Sequence, residues 1–142
     1  MSLLRAIFIA SIIAFVVPIS GIAADTVHTE REKAKLVSRF YQITYGSSEK
    51  CKSAPLESAK KFQTVLDRFL ATNEKIMALV VNSPHYAAAQ TGYAKYATLD
   101  TERDTPESLT QECEYMATFM SWLIDSPYWP RMVKEHEEML SQ

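Results

Sequence analysis

Residues 105–125 carry the strongest helix signal in the chain, and they limit what the remaining residues can fold into. Thr105, Pro106 and Glu107 mark a helix start, because a hydroxyl cap, a proline in the first turn and an acid near the positive end of the helix dipole all favour one. No charged side chain occurs between residues 115 and 124. The stretch therefore predicts a long central helix that other helices cover.

The predicted central helix has two adjoining apolar stripes. The first consists of Leu109, Cys113, Met116, Ala117, Met120, Leu123 and Ile124. The second consists of Tyr115, Phe119 and Trp122, which are spaced four and three residues apart. Two stripes predict that neighbouring helices pack on two sides. We therefore expect Phe119 to be buried, and its replacement by alanine to cost about 3–5 kcal/mol.

Residues 1–24 have the layout of a secretory signal peptide. Arg5 is the only charge, an apolar run covers residues 6–17, and small residues lead up to Ala24. The run is shorter than the ~20 apolar residues that a membrane-spanning helix needs, although a single-pass anchor is the alternative. We expect cleavage near Ala24, a single helical domain at 25–142, and a periplasmic or secreted protein that has no stable membrane insertion after cleavage.

Cys51 and Cys113 are the only two cysteines. An even number of cysteines in an exported chain predicts a disulfide. The bond would join residues that are 62 positions apart, and a loop of that length stabilises the folded state by roughly 4 kcal/mol. A redox-active or metal-binding pair is the alternative, but the sequence has no C-x-x-C motif and no histidine cluster.

Apolar side chains at helical spacing predict four more helices. The first ends at Gly46, the second region covers 55–82 as either one helix or two, and the others cover 84–98 and 130–140. We expect no β-strand, because the sequence has no second strand-like segment to pair with one. A lone strand would leave its backbone groups without hydrogen bonds. The predicted fold class is all-α, a small irregular bundle of about five helices with one disulfide.

Two segments, 79–86 and 122–129, match each other in residue type. Each has three apolar residues, Asn or Asp, a Ser-Pro pair and two aromatic residues. Ser-Pro is a common way to end one helix and begin the next, and the alternative is an αα-hairpin used twice. Aromatic side chains are frequent in recognition surfaces, although such residues also cap cores. The candidate partner surface consists of His85, Tyr86, Tyr128 and Trp129.

The sequence lacks the motifs of several function classes. His28, His85 and His136 are far apart, and none has a second histidine one helical turn away, so no metal site is predicted. There is no nucleophile elbow, no phosphate-binding glycine loop and no haem motif, so no catalytic residue and no cofactor are predicted. Basic residues alternate with acidic ones, as in residues 30–33 and 134–138, so nucleic acid is not an expected partner.

Export and the missing catalytic motifs together favour a non-enzymatic binding protein. We expect an inhibitor, an immunity-type protein or an accessory subunit that acts on another exported protein, and the sequence leaves homo-oligomers open. The alternative is a small periplasmic enzyme or ligand carrier with a pocket between the helices at 84–98 and 106–125. A pocket with converging polar groups would favour the carrier, and a flat aromatic patch would favour the binding protein.

Overall fold

The structure is a computed structural model, and it describes residues 29–142. Backbone contacts divide the chain after Lys33. The described residues of the first unit, 29–33, are helical, and Lys33 Nζ lies 3.3 Å from Glu30 Oε1. The predicted signal peptide lies outside the described residues. The second unit, residues 34–142, contains the core and both cysteines.

Every regular element that the structure describes is a helix, which confirms the all-α prediction. The first helix of the second unit, α1, covers residues 34–44, and it is followed by α2 (Ser48–Cys51), α3 (Leu56–Thr72), α4 (Glu74–Val81), α5 (Tyr86–Ala97), α6 (Pro106–Asp125) and α7 (Trp129–Leu140). Helix α3 packs along α6, and α4 packs against α7. The result is a small irregular bundle. None of the helices described is long and apolar enough to span a bilayer.

Helix α6 begins where the sequence predicts. The Ser108 N–H donates a 3.1 Å hydrogen bond to Oγ1 of Thr105, the N-cap, and Pro106 is the first helical residue. The first apolar stripe is buried at Leu109, Cys113, Ala117, Met120 and Leu123. This face of α6 forms the centre of the core, because α3 and α7 both pack on the helix.

The second stripe of α6 is not buried as predicted. Tyr115 is 66% exposed and Trp122 is 63% exposed, while Phe119 between them is half-buried. The prediction that neighbours cover α6 on two sides is wrong. Among the residues described, Tyr115 and Trp122 are exposed, and Phe119 is the one member of this stripe that packs against the core.

The predicted disulfide is present. Cys51 and Cys113 are bonded, with their Cα atoms 5.7 Å apart, and both residues are buried. The bond joins the single-turn helix α2 to the middle of α6. The residues just before the two cysteines also meet, because Lys50 Nζ lies 2.7 Å from Glu112 Oε2. The turn that carries Cys51 is therefore held to α6 by a covalent bond and by an ion pair.

The region 55–82 consists of two helices, and Asn73 lies at the break between α3 and α4. Its Nδ2 donates a 2.8 Å hydrogen bond to the carbonyl of Phe69, and its Oδ1 accepts a 2.8 Å bond from Trp129 Nε1. Asn73 is buried, so these bonds satisfy polar atoms that water cannot reach. The break is thus fixed by a contact with the first residue of α7.

Candidate interaction surface and adjoining groove

The two Ser-Pro corners have the same local structure. Ser83 Oγ accepts a hydrogen bond from the His85 N–H (3.2 Å), and Ser126 Oγ accepts the equivalent bond from the Tyr128 N–H (3.3 Å). The carbonyls of the same two serines accept bonds of 3.1 Å from the first residues of α5 and α7. The similarity between the two sequence segments is therefore a similarity in backbone hydrogen bonding.

Trp129 does not belong to a partner surface. It is 5% exposed, and its ring lies 6.1 Å from that of Phe40 and 5.8 Å from that of Phe69, measured between centroids. Its indole N–H donates to Asn73. The prediction that Trp129 contributes to a recognition surface is wrong, because the first turn of α7 directs this side chain into the core.

The other three corner residues differ in exposure. Tyr86 is half-buried, and its ring meets that of Tyr41 edge-on at 5.6 Å. Burial raises the pKa of Tyr86 above its ordinary value. His85 is also half-buried, whereas Tyr128 is 72% exposed. Of the four predicted residues, Tyr128 alone presents most of its side chain to solvent.

Three aromatic residues of α6, Tyr115, Phe119 and Trp122, form a row that we call the aromatic strip. The ring centroids are 6.4 Å apart for Tyr115 and Phe119, and 6.1 Å apart for Phe119 and Trp122. The ring planes differ by 5° and 22°, so the three rings are nearly parallel. The strip is therefore a largely exposed row of nearly parallel aromatic rings on α6.

Tyr128 extends the aromatic strip around the end of α6. Trp122 and Tyr128 border a shallow depression of about 350 Å³, which Asp125, Ser126 and Pro127 also line. At its edge Asp125 Oδ1 lies 2.7 Å from Arg68 Nη2, and both side chains are exposed. The one exposed residue of the predicted corner surface is thus adjacent to the strip, with an ion pair beside it.

A separate groove lies between α5 and α6, where the second of the two functional alternatives requires a pocket. Its volume is about 250 Å³, and it is lined by Gln42, Gly46, Ser47, Tyr93, Tyr96, Glu112 and Met116. The Tyr93 hydroxyl donates a 3.1 Å hydrogen bond to Gln42 Oε1. Ser47, which is 9% exposed, makes no side-chain capping bond to α2 although it precedes this helix. Polar and aromatic side chains therefore converge in this groove.

An ion-pair cluster lies behind one wall of the groove. Lys50 Nζ lies 2.7 Å from Glu112 and 3.5 Å from Asp104, and Arg103 Nε lies 3.2 Å from the same Asp104 oxygen. Hydrogen bonds from Arg103 and from the Asp100 N–H, with the nearby charge of Lys50, lower the pKa of Asp104 to about 2. The cluster holds the polar turn before α6 against α2.

The histidines do not form a metal centre in the part of the chain that the structure describes. No group of three or more His, Cys, Asp or Glu side chains among these residues is placed to hold a metal ion. His136 packs edge-on against the ring of Phe40 at 6.0 Å, and burial lowers its pKa. His85 lies at the corner before α5, far from α7 in sequence.

Sequence patterns missed part of both surface features. The spacing of Tyr115, Phe119 and Trp122 is visible in the sequence, but spacing does not distinguish a buried stripe from an exposed one. Gln42 and Ser47 have no sequence pattern that marks them as site residues, because they line one groove with Glu112 only after the chain has folded.

Comparison with known protein families, with curated proteins and with solved structures finds no match for this chain.

Proposed function

We propose that this protein is exported and that it binds another exported protein through the aromatic strip, as an inhibitor, an immunity-type protein or an accessory subunit, without enzymatic activity. The disulfide supports an oxidising compartment, and the layout of residues 1–24 supports secretion. The observation that carries the proposal is the exposed row of Tyr115, Phe119 and Trp122.

The fold leaves two of the three rings in this row exposed, which favours a role in binding. Tyr115 and Trp122 present about two thirds of their surface to water, and contiguous exposed apolar patches on small proteins mark interaction sites. Tyr and Trp are the side chains most enriched at binding hot spots. A row carried by one helix loses little conformational freedom when it binds, because the helix backbone fixes the spacing of the three residues and aromatic side chains have only two torsions to fix.

The surroundings of the strip also resemble an interface. Residues 115–124 are uncharged, and the Arg68–Asp125 ion pair lies beside the depression at Trp122. Protein interfaces commonly have such an apolar centre and a polar rim. The depression of about 350 Å³ offers a place for one partner side chain. We therefore expect Trp122 to be the main anchor.

Site-directed photo-crosslinking in the producing cells tests this proposal. A photoreactive residue at Thr118, which is exposed between Tyr115 and Trp122, should capture a discrete exported protein. The same residue at Thr64, on the exposed face of α3, is the control and should capture much less. With the captured partner, Trp122→Ala should weaken binding about thirtyfold, a loss of about 2 kcal/mol.

The matched control for binding is Tyr96→Ala, because Tyr96 is another exposed aromatic residue, on α5. It should leave partner binding unchanged. Tyr115→Ala and Trp122→Ala should each change the free energy of unfolding by about 0.5 kcal/mol or less, as exposed residues do. Equal capture at residues 118 and 64, or full binding by both strip variants, would remove the basis for this function.

A second candidate function, a small-molecule carrier or small enzyme, is favoured by the groove between α5 and α6. The groove combines the hydroxyls of Ser47 and Tyr93 with the carboxylate of Glu112, as small-molecule sites do. NMR resonances of Ser47 and Tyr93 should move when a ligand binds there. Resonances of the aromatic strip should not move, which separates the two functions.

Export itself predicts a defined N-terminus. Signal peptidase cleaves after small residues, and Ala23 and Ala24 are the small residues that follow the apolar run. Mass spectrometry of the protein recovered from the periplasm or medium should therefore give a chain that begins at Asp25. A full-length chain in the membrane fraction would instead show a retained anchor.

A further inference from the structure

One wall of the groove is formed by the aromatic rings of Tyr93 and Tyr96. The Tyr93 ring lies 6.0 Å from that of Tyr41, and its hydroxyl donates to Gln42. Tyr96, three residues later on α5, is 58% exposed and lies at the rim. Met116 of α6 lines the groove as well. Flat rings and a thioether give a surface on which the apolar face of a small ligand can lie.

The polar groups of the groove include bonding capacity that the fold leaves unused. The Ser47 side chain lines the groove and makes no capping hydrogen bond to α2, so its hydroxyl can donate to and accept from a ligand that enters the groove. Glu112 uses Oε2 to bind Lys50, and Gln42 uses its oxygen to accept from Tyr93. A Glu112 oxygen and the Gln42 amide N–H groups therefore stay available as acceptor and donors.

The charges next to the groove cancel. Glu112 and Asp104 are negative, Lys50 and Arg103 are positive, and the four are linked by contacts of 2.7 to 3.5 Å. An ionic ligand would lose hydration in the groove and meet no uncompensated opposite charge, so its binding would be unfavourable. A neutral ligand does not have this cost.

We propose that this groove binds one uncharged sugar ring. A pyranose has a flat C–H face for Tyr93 and Tyr96, and hydroxyls that both donate and accept for Ser47, Gln42 and Glu112. The volume of about 250 Å³ suits a single ring, since pockets for drug-sized ligands begin at roughly 300 Å³. The inference names the ligand class of the carrier proposal and rests on it, and it does not depend on the aromatic strip.

NMR titration of the exported, oxidised protein tests the inference. The probes are glucose, galactose and N-acetylglucosamine, with glucosamine as a cation, gluconate as an anion and cyclohexanol as a ring with one hydroxyl. The neutral sugars should shift the resonances of Ser47, Tyr93 and Glu112 with millimolar affinity. Glucosamine and gluconate should bind no more tightly than glucose, because the local charges cancel.

Two variants and two matched controls locate the binding site. Tyr96→Ala and Ser47→Ala should each weaken sugar binding about tenfold, which corresponds to 1.4 kcal/mol. Tyr96 is exposed, so its variant keeps the fold even if the Ser47 change disturbs it. Tyr115→Ala, in the aromatic strip, and Ser53→Ala, at an exposed serine, should leave sugar binding unchanged.

Three outcomes would overturn the inference. If cyclohexanol shifts the groove resonances and no sugar does, the carrier proposal stands and the sugar class is wrong. If no probe shifts them, both the carrier proposal and the inference fall. If glucosamine binds more than about tenfold more tightly than glucose, the Glu112 charge is not compensated and the ligand is a cation.

Discussion

At the scale of single residues, Asn73 connects three helices through one side chain. It ends α3 by bonding to Phe69, precedes α4, and accepts the indole N–H of Trp129 from α7. From the sequence, an asparagine in such a position predicts a turn or a helix cap. The sequence does not indicate its hydrogen bond to Trp129, which is 56 residues away. The buried environment of Trp129 therefore depends on a contact that local patterns do not show.

Replacing Asn73 by alanine should lower the free energy of unfolding by about 1–3 kcal/mol, because the indole N–H would stay buried without an acceptor. Asn82→Ala is the matched control. Asn82 makes the same bond to a carbonyl four residues earlier, at 2.9 Å, but it is exposed. Its replacement should cost about 0.5 kcal/mol or less. Equal losses in urea titrations would show that the bond to Trp129 contributes nothing.

The lowered pKa of Asp104 predicts how the free energy of unfolding depends on pH in acid. Its pKa is lowered from 3.8 to about 2, mainly by the hydrogen bonds from Arg103 and from the Asp100 N–H. A carboxylate with a depressed pKa stabilises the folded state fully above its ordinary pKa, and this contribution is lost as pH falls from 3.8 towards 2. Asp104→Asn should therefore flatten the fall in unfolding free energy across that window.

Urea titrations at several pH values across the window measure this effect. Asp67→Asn, which removes an exposed carboxylate that accepts from Gln63, is the control that keeps Asp104. It should retain the acid dependence of the unaltered protein. An unchanged slope in the Asp104→Asn protein would mean that other carboxylates account for the acid sensitivity.

At the scale of elements, the sequence predicts the positions of the helices well and their environment less well. Local sequence predicts the cap at Thr105, the start of α6 and the breaks between helices at both Ser-Pro corners, because each depends on residues close together in the chain. The exposure of Trp122 and the burial of Trp129 depend on which helices pack where. Both residues are aromatic at helical positions, and only the tertiary arrangement places one outside and the other inside.

The two described glycines should respond in opposite directions to alanine. Gly92 lies in α5, where an added Cβ meets no atom within 4 Å, so Gly92→Ala should stabilise the protein by about 0.5–1 kcal/mol through helix propensity. At Gly46 an added Cβ would lie 3.0 Å from Gln42 Cα and 3.1 Å from its carbonyl oxygen. Gly46→Ala should therefore cost about 1–3 kcal/mol, because backbone atoms must move.

Thermal unfolding of the two variants gives the sign of each change. A destabilising Gly92→Ala would indicate that something packs on the open face of α5, as a second copy of the chain would. A harmless Gly46→Ala would indicate that the end of α1 can shift, and the groove that Gly46 lines would then be adaptable instead of fixed.

At the scale of the whole molecule, the core is modest and the cross-link matters. The core is built from α1, α3, α4, α6 and α7, while α5 contributes only Ala89 as a fully buried residue. A domain of this size gains a large share of its stability from a disulfide. The bond between α2 and α6 also keeps the end of α1 close to α6, where the groove lies. Stability and the candidate ligand site therefore depend on the same bond.

Removing the disulfide should destabilise the protein by an amount that grows slowly, as the logarithm of the length of the loop that it closes. Replacing both Cys51 and Cys113 by alanine should cost roughly 4 kcal/mol and lower the melting temperature by about 10 °C or more. Both cysteines are buried, so a reductant should break the bond slowly in the native protein and quickly in urea. Thiol titration of the native protein, purified without reductant, should find no free thiol. Two reactive thiols in the native protein would contradict the disulfide, and they would also remove the main support for an oxidising compartment.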